Sequence, residues 1–104
     1  MAIAHAGPGE IVNLPLLDGA ERSTAIVKTD QFQAIHLVVP AGATIPAHHV
    51  EGQATFHCLK GRIGLSLAEG TVILQAGDWL YLDRAAEHGV EGLEDSALLL
   101  TILF

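Results

Sequence analysis

Aromatic side chains make up only 5% of this 104-residue chain. A chain of this size buries roughly two thirds of the surface its unfolded form exposes, so its core must be built from Leu, Ile, Val and Ala. The single cysteine, Cys58, cannot form an internal disulfide, which excludes a disulfide-stapled scaffold. Basic residues are also few: five Lys and Arg stand against twelve Asp and Glu, for a net charge of −7. The five (Arg22, Lys28, Lys60, Arg62, Arg84) are scattered apart from the Lys60/Arg62 pair. Phosphate contacts need a basic stripe, so neither nucleic acid nor an anionic membrane is an expected partner. The longest apolar stretch, Ser96–Phe104, has nine residues, against the roughly 20 of a membrane helix. No basic segment followed by an apolar run opens the chain, so a secretory leader is not expected and a cytoplasmic protein is.

What is present is apolar and regularly punctuated. Half the residues are hydrophobic and 16% are charged, which argues against disorder. Gly42, Gly52, Gly61, Gly70 and Gly77 recur at intervals of 7–10 residues. Short strands with turn signals at such spacing read as an all-β sandwich or barrel. Ile63, Leu65 and Leu67 alternate with Arg62, Gly64 and Ser66, the period of a half-buried strand. Thr71–Leu74 follows Ala68-Glu69-Gly70, read as a three-residue hairpin loop. Phe32–Val39 and Leu98–Phe104 are further strands, and Trp79 and Tyr81 alternate with Asp78 and Leu80 as core or cleft wall. Helix signals are thin: a short turn within Leu16–Ala25, with Asp18 as N-cap, is all the pattern offers. Residues 1–10, with Gly7-Pro8-Gly9, read as a loose arm and residues 11–104 as one β-barrel domain.

Six histidines are a high share for this length. His48 follows Gly42 in Pro46-Ala47-His48-His49-Val50, and His88 lies eleven residues after Gly77. Histidines on two strands of a small barrel can converge in its mouth, where imidazole is the commonest protein metal ligand. His36 and His5 read as surface or interface residues. Cys58 reads as an inert core cysteine, because its neighbour His57 must point to the opposite face of the strand.

These residues resemble the cupins, the small jelly-roll barrel family. The first cupin motif is G-x5-H-x-H-x3-4-E-x6-G; Gly42, His48 and Gly61 occupy its glycine, first histidine and closing glycine. The second is G-x5-P-x-G-x2-H-x3-N; Gly77-Asp78 opens it and His88 takes its histidine. The second histidine of the first motif falls on Val50 and its glutamate on Ala54. In the second motif the proline, glycine and asparagine fall on Asp83, Ala85 and Gly92. The family holds its metal with three histidines and the glutamate, so the resemblance carries over His48 and His88 alone.

The resemblance therefore implies a small all-β jelly-roll barrel, the cupin-type double-stranded β-helix, that binds a small molecule. His48 and His88 would form a reduced site for a divalent metal (Zn, Ni, Fe or Mn). His49 would add a third nitrogen if the strand bulges there. Phe56, Cys58, Leu65 and Trp79 would line the pocket. A metal-dependent dioxygenase or isomerase, with Glu51 or His49 completing the site, is one alternative. A metal-free sensor or interaction domain is another, with the two histidines as hydrogen-bonded groups in the mouth. The apolar chain ends Glu10–Leu17 and Leu98–Phe104 exceed what one small core can take, and cupins pair sheet to sheet, so a homodimer is expected.

Overall fold

The computed structural model describes residues 5–17, 19 and 21–104. Nine strands follow one another: β1 (Thr24–Lys28), β2 (Phe32–Val39), β3 (Thr44–His48), β4 (Ala54–Lys60), β5 (Arg62–Leu67), β6 (Gly70–Gln75), β7 (Trp79–Leu82), β8 (His88–Gly92) and β9 (Ser96–Leu103). They form a five-stranded sheet in the order β1-β2-β9-β4-β7 and a four-stranded sheet in the order β3-β8-β5-β6. Every pairing is antiparallel. This is an all-β jelly-roll barrel, and no described helix is long and apolar enough to cross a membrane.

The strands follow from their composition. β2 carries Phe32, Ile35, Val38 and Val39 among its eight residues and spans Phe32–Val39 as the sequence predicts. In β4 the alternation is strict: Ala54, Phe56 and Cys58 are buried while Thr55, His57 and Leu59 are half-buried. Ile63 and Leu65 of β5, Val39 of β2, Leu98 of β9 and Val90 of β8 meet them in one core. Burying each large apolar side chain is worth about 1.5–3 kcal/mol. Aliphatic packing between two sheets thus replaces the aromatic core that the composition rules out.

Three local expectations change. Leu67 pairs with Gly70 across the β5–β6 hairpin, so the loop is the two residues Ala68-Glu69. Gly70, with φ 132°, already occupies the first ladder position of β6. The helical turn is a 3-10 turn at Leu14–Leu17, earlier than expected; its expected cap, Asp18, lies outside the described residues. Near the N-terminus, the Ala6 amide donates to the Ile26 carbonyl at 2.8 Å, so the chain there runs beside β1.

Gly61 lets the chain pass from one sheet to the other between β4 and β5. Its φ is 77°, and a Cβ there would run into the Asp95 carbonyl and the Ser96 hydroxyl. Both penalties fall on any side chain, so Gly61→Ala is expected to lower unfolding free energy by about 2–4 kcal/mol in denaturant melts. A loss within measurement error of zero would mean that this corner has room to relax.

Candidate functional site

The barrel mouth is organised by β8. Its first residue, His88, is the ladder partner of His48 at the end of β3. The β3 register shifts between Ile45 and His48, across Pro46, which has no N–H to give the ladder. The next residue, Gly89, has no room for a side chain: a Cβ there would lie 2.8 Å from the Ser66 hydroxyl and 3.1 Å from the Ile45 carbonyl. β3, β8 and β5 therefore close together, and the two imidazoles meet with ring centroids 4.5 Å apart. Phe56 stands edge-on to His88 at 5.5 Å.

Each ring is held the same way. Nδ1 of His48 lies 3.0 Å from the Pro46 carbonyl, and Nδ1 of His88 lies 3.0 Å from the Ala86 carbonyl. A carbonyl oxygen only accepts, so each Nδ1 carries a hydrogen, and in the neutral ring Nε2 keeps the lone pair. Metal-ligating histidines almost always have their second nitrogen tied in this manner. His48 is exposed and His88 is 4% exposed. Burial pushes the His88 pKa below the ordinary value; the Ala86 hydrogen bond opposes this and the neighbouring His48 adds to it.

The turn before β8 is tied to the loop after β3. The Ala85 amide donates to the Val50 carbonyl at 3.1 Å, and Gln53 Nε2 donates to Asp83 at 3.4 Å. Ala85 has φ 58°, the one non-glycine residue at positive φ among those described. It stands where the cupin motif carries glycine, so the turn keeps the motif's backbone shape without its residue.

The other expected site residues divide. Phe56, Cys58 and Leu65 face the barrel interior as core residues, 0–1% exposed. Burial pushes the Cys58 thiol pKa up; a backbone hydrogen bond at Lys60 opposes this and Asp78 adds to it. Burial thus favours the protonated thiol, the form of an inert core cysteine. Trp79, expected in the pocket wall, is a correction: it is 59% exposed on the outer face of the five-stranded sheet, while Leu80 and Leu82 turn inward. His49 lies beyond the end of β3 and is exposed. No group of three ligand-type side chains that could hold a metal ion converges among the described residues. Ala54 is buried in the core and Val50 packs against it, so the positions of the missing ligands are apolar.

The Cupin domain family model matches residues 35–104. The chain belongs to the cupin family. This cupin is 28% identical over 87 residues to an uncharacterized protein of Aquifex aeolicus, covering 82% of this chain and 72% of that one. Among solved structures it resembles a cupin superfamily protein of Desulfitobacterium hafniense, with TM-score 0.83, 17% identity and coverage of 100% and 99% of the two chains. It also resembles a conserved protein of unknown function from Streptococcus pyogenes, with TM-score 0.82, 16% identity and coverage of 99% and 94%. An RmlC-like cupin with a double-stranded β-helix fold from Methanocaldococcus jannaschii matches with TM-score 0.73 and 18% identity over 83% of this chain and 84% of that one. At these identities the likeness shows the fold.

His36, expected as a surface or interface residue, is 1% exposed within this chain, on the outer face of β2. It lines a cavity of about 290 Å³ with Leu17, Glu21, Lys60, Asp95 and Ala97, on the far side of the sheet from the mouth. No polarity contrast in β2 marks which face His36 takes, because Gln33 and His36 fall on opposite faces and each is otherwise apolar.

The His88 shift has a consequence for stability. Its folded pKa lies below the unfolded value of roughly 6.5, so the unfolded chain takes up the proton first. Its contribution is complete above about pH 6.5 and is lost as pH falls through the lowered value. The stability gap between the native protein and His88→Gln should therefore narrow from pH 7.5 to pH 5.5 in denaturant melts. A gap unchanged over that range would contradict the assignment.

Proposed function

We propose that this cupin is a cytoplasmic small-molecule-binding protein whose barrel mouth holds a divalent metal on two histidines, His48 and His88. The supporting observation is the cross-strand pair, with both Nδ1 atoms bonded to backbone carbonyls, which leaves Nε2 of each neutral ring as the lone-pair nitrogen. The residues present fit a two-nitrogen site and not the family's four-ligand set, since positions 50 and 54 are apolar. A bound divalent metal would act as a Lewis acid toward an oxygen or nitrogen of the ligand. The remaining coordination positions fall to water or to that ligand. The chain's own part is to fix both rings, to keep His88 neutral through burial, and to wall the site with Phe56.

Metal content after chelation and reloading with Zn, Ni or Fe(II) tests this reading. The native protein should take up about one ion per chain near neutral pH and lose it below about pH 6, where imidazoles protonate. His48→Ala and His88→Ala should each abolish uptake, while His57→Ala, on the outer face, should retain it. Equal metal in the native protein and in the His48→Ala/His88→Ala double variant would overturn the proposal.

The same reading has the protein working as a homodimer through the outer face of the five-stranded sheet. Reading across the ladder, His36, Leu99, His57 and Trp79 stand in one row. Trp79 and Tyr81 are each 59% exposed, with rings 6.3 Å apart. None of the five strands contains an acidic residue, in a chain of net charge −7. Light scattering should give twice the chain mass or a multiple of it, and Trp79→Lys with Tyr81→Lys should separate the copies that meet on this face. A native protein that runs at its chain mass of 10.9 kDa would contradict this.

A further inference from the structure

Two sheets have four edges, and three are blocked. β1 has a register shift between Ala25 and Val27, and Ala6 donates to its Ile26 carbonyl. β7 is only four residues long. β3 contains Pro46 and a second register shift. These are the usual devices that keep a sheet from pairing with another chain. The fourth edge, β6, has none of them. All six of its residues pair with β5 without a shift, from Gly70 opposite Leu67 to Gln75 opposite Arg62. Among the described residues, no strand pairs with its other side. The segment Gly70-Thr71-Val72-Ile73-Leu74-Gln75 holds no charge and no proline, and Val72 and Ile73 are 40% and 56% exposed.

We propose that β6 is a strand-pairing edge whose occupant is β6 of a second copy, in an antiparallel pair about a two-fold axis at Val72. This surface is distinct from the Trp79 face and does not rest on the homodimer proposed above or on the metal site.

Two observations favour a second copy over an unrelated extended peptide. The strand is compatible with its own reverse: with Val72 on the axis, Thr71 lies opposite the partner's Ile73 and Gly70 opposite the partner's Leu74. Glu69 then lies opposite the partner's Gln75, so no like charges face each other, although each chain carries −7. The assembly also closes. Joining two copies at β6 makes an eight-stranded sheet whose outer edges are both β3, already blocked by Pro46, so pairing stops at two. A six-residue strand offers about 20 Å of edge, enough for a ladder of backbone bonds without rearrangement of the barrel.

The test uses the full chain with Trp79→Lys and Tyr81→Lys, which removes the aromatic face from consideration. In that background a dimer should persist by light scattering at high protein concentration. On dilution to monomer, amides of β6 that face away from β5 should gain hydrogen exchange. Adding Thr71→Lys and Ile73→Lys should give a folded monomer at every concentration. Both residues are exposed, so the barrel tolerates the change, and the lysines would lie opposite each other across the axis. A monomer in the Trp79/Tyr81 background, or a dimer unchanged by the two β6 lysines, would overturn the proposal. Either result leaves the metal measurements and the native mass to be judged separately.

Discussion

The register of β8 is the constraint on which the mouth depends. A Cβ on Gly89 would meet the Ser66 hydroxyl and the Ile45 carbonyl, so a slide of β8 between β5 and β3 would drive a side chain into them. A one-residue slip would turn His88 outward and place Gly89 in the mouth. The strained Ala85 turn and its bond to Val50 act on the same register from the other end. The backbone that positions the histidine has been kept, although most of the side chains that normally surround it in cupins are absent.

That combination explains what the site can and cannot do. Ala54 and Val50 extend the aliphatic core into the space where a carboxylate and a third imidazole would stand. What remains is a pair of neutral nitrogens, one exposed and one buried, against an aromatic edge. Two neutral ligands leave a divalent ion with its full charge and several open positions. Any metal there would be held partly by its ligand, which suits a binding protein whose occupancy reports on a small molecule. Among the described residues the acidic groups sit mostly in loops, with Glu91 in β8, leaving the five-stranded sheet free of the charges that would oppose packing of one copy on another.

Much of this is legible in the residues. The strands announce themselves where polarity alternates: Ile63 and Leu65 against Arg62 and Ser66, and Ala54, Phe56 and Cys58 against Thr55 and His57. The glycines mark the corners because several of them take positive φ. The spacing from Gly42 to His48 and from Gly77 to His88 brings two histidines to one rung of the ladder. Where contrast is missing, the phase cannot be read. In Trp79-Leu80-Tyr81-Leu82 both faces are apolar, so the larger aromatic residues suggest an inward orientation that belongs to the leucines. His36 is buried beside a cavity that Leu17, Gly19 and Glu21 also line, a long-range contact with no local signature. His49 looks like a ligand by adjacency, but β3 ends before it.

The central claim is that two backbone carbonyls fix both imidazoles with Nδ1 protonated and Nε2 open. Nitrogen-15 chemical shifts of the His48 and His88 ring atoms, recorded on metal-free protein above pH 7.5, test it directly. The account predicts that both rings carry hydrogen on Nδ1 and that both Nε2 signals move on addition of zinc. Hydrogen on Nε2 of either ring, or Nε2 signals unmoved by zinc, would contradict it.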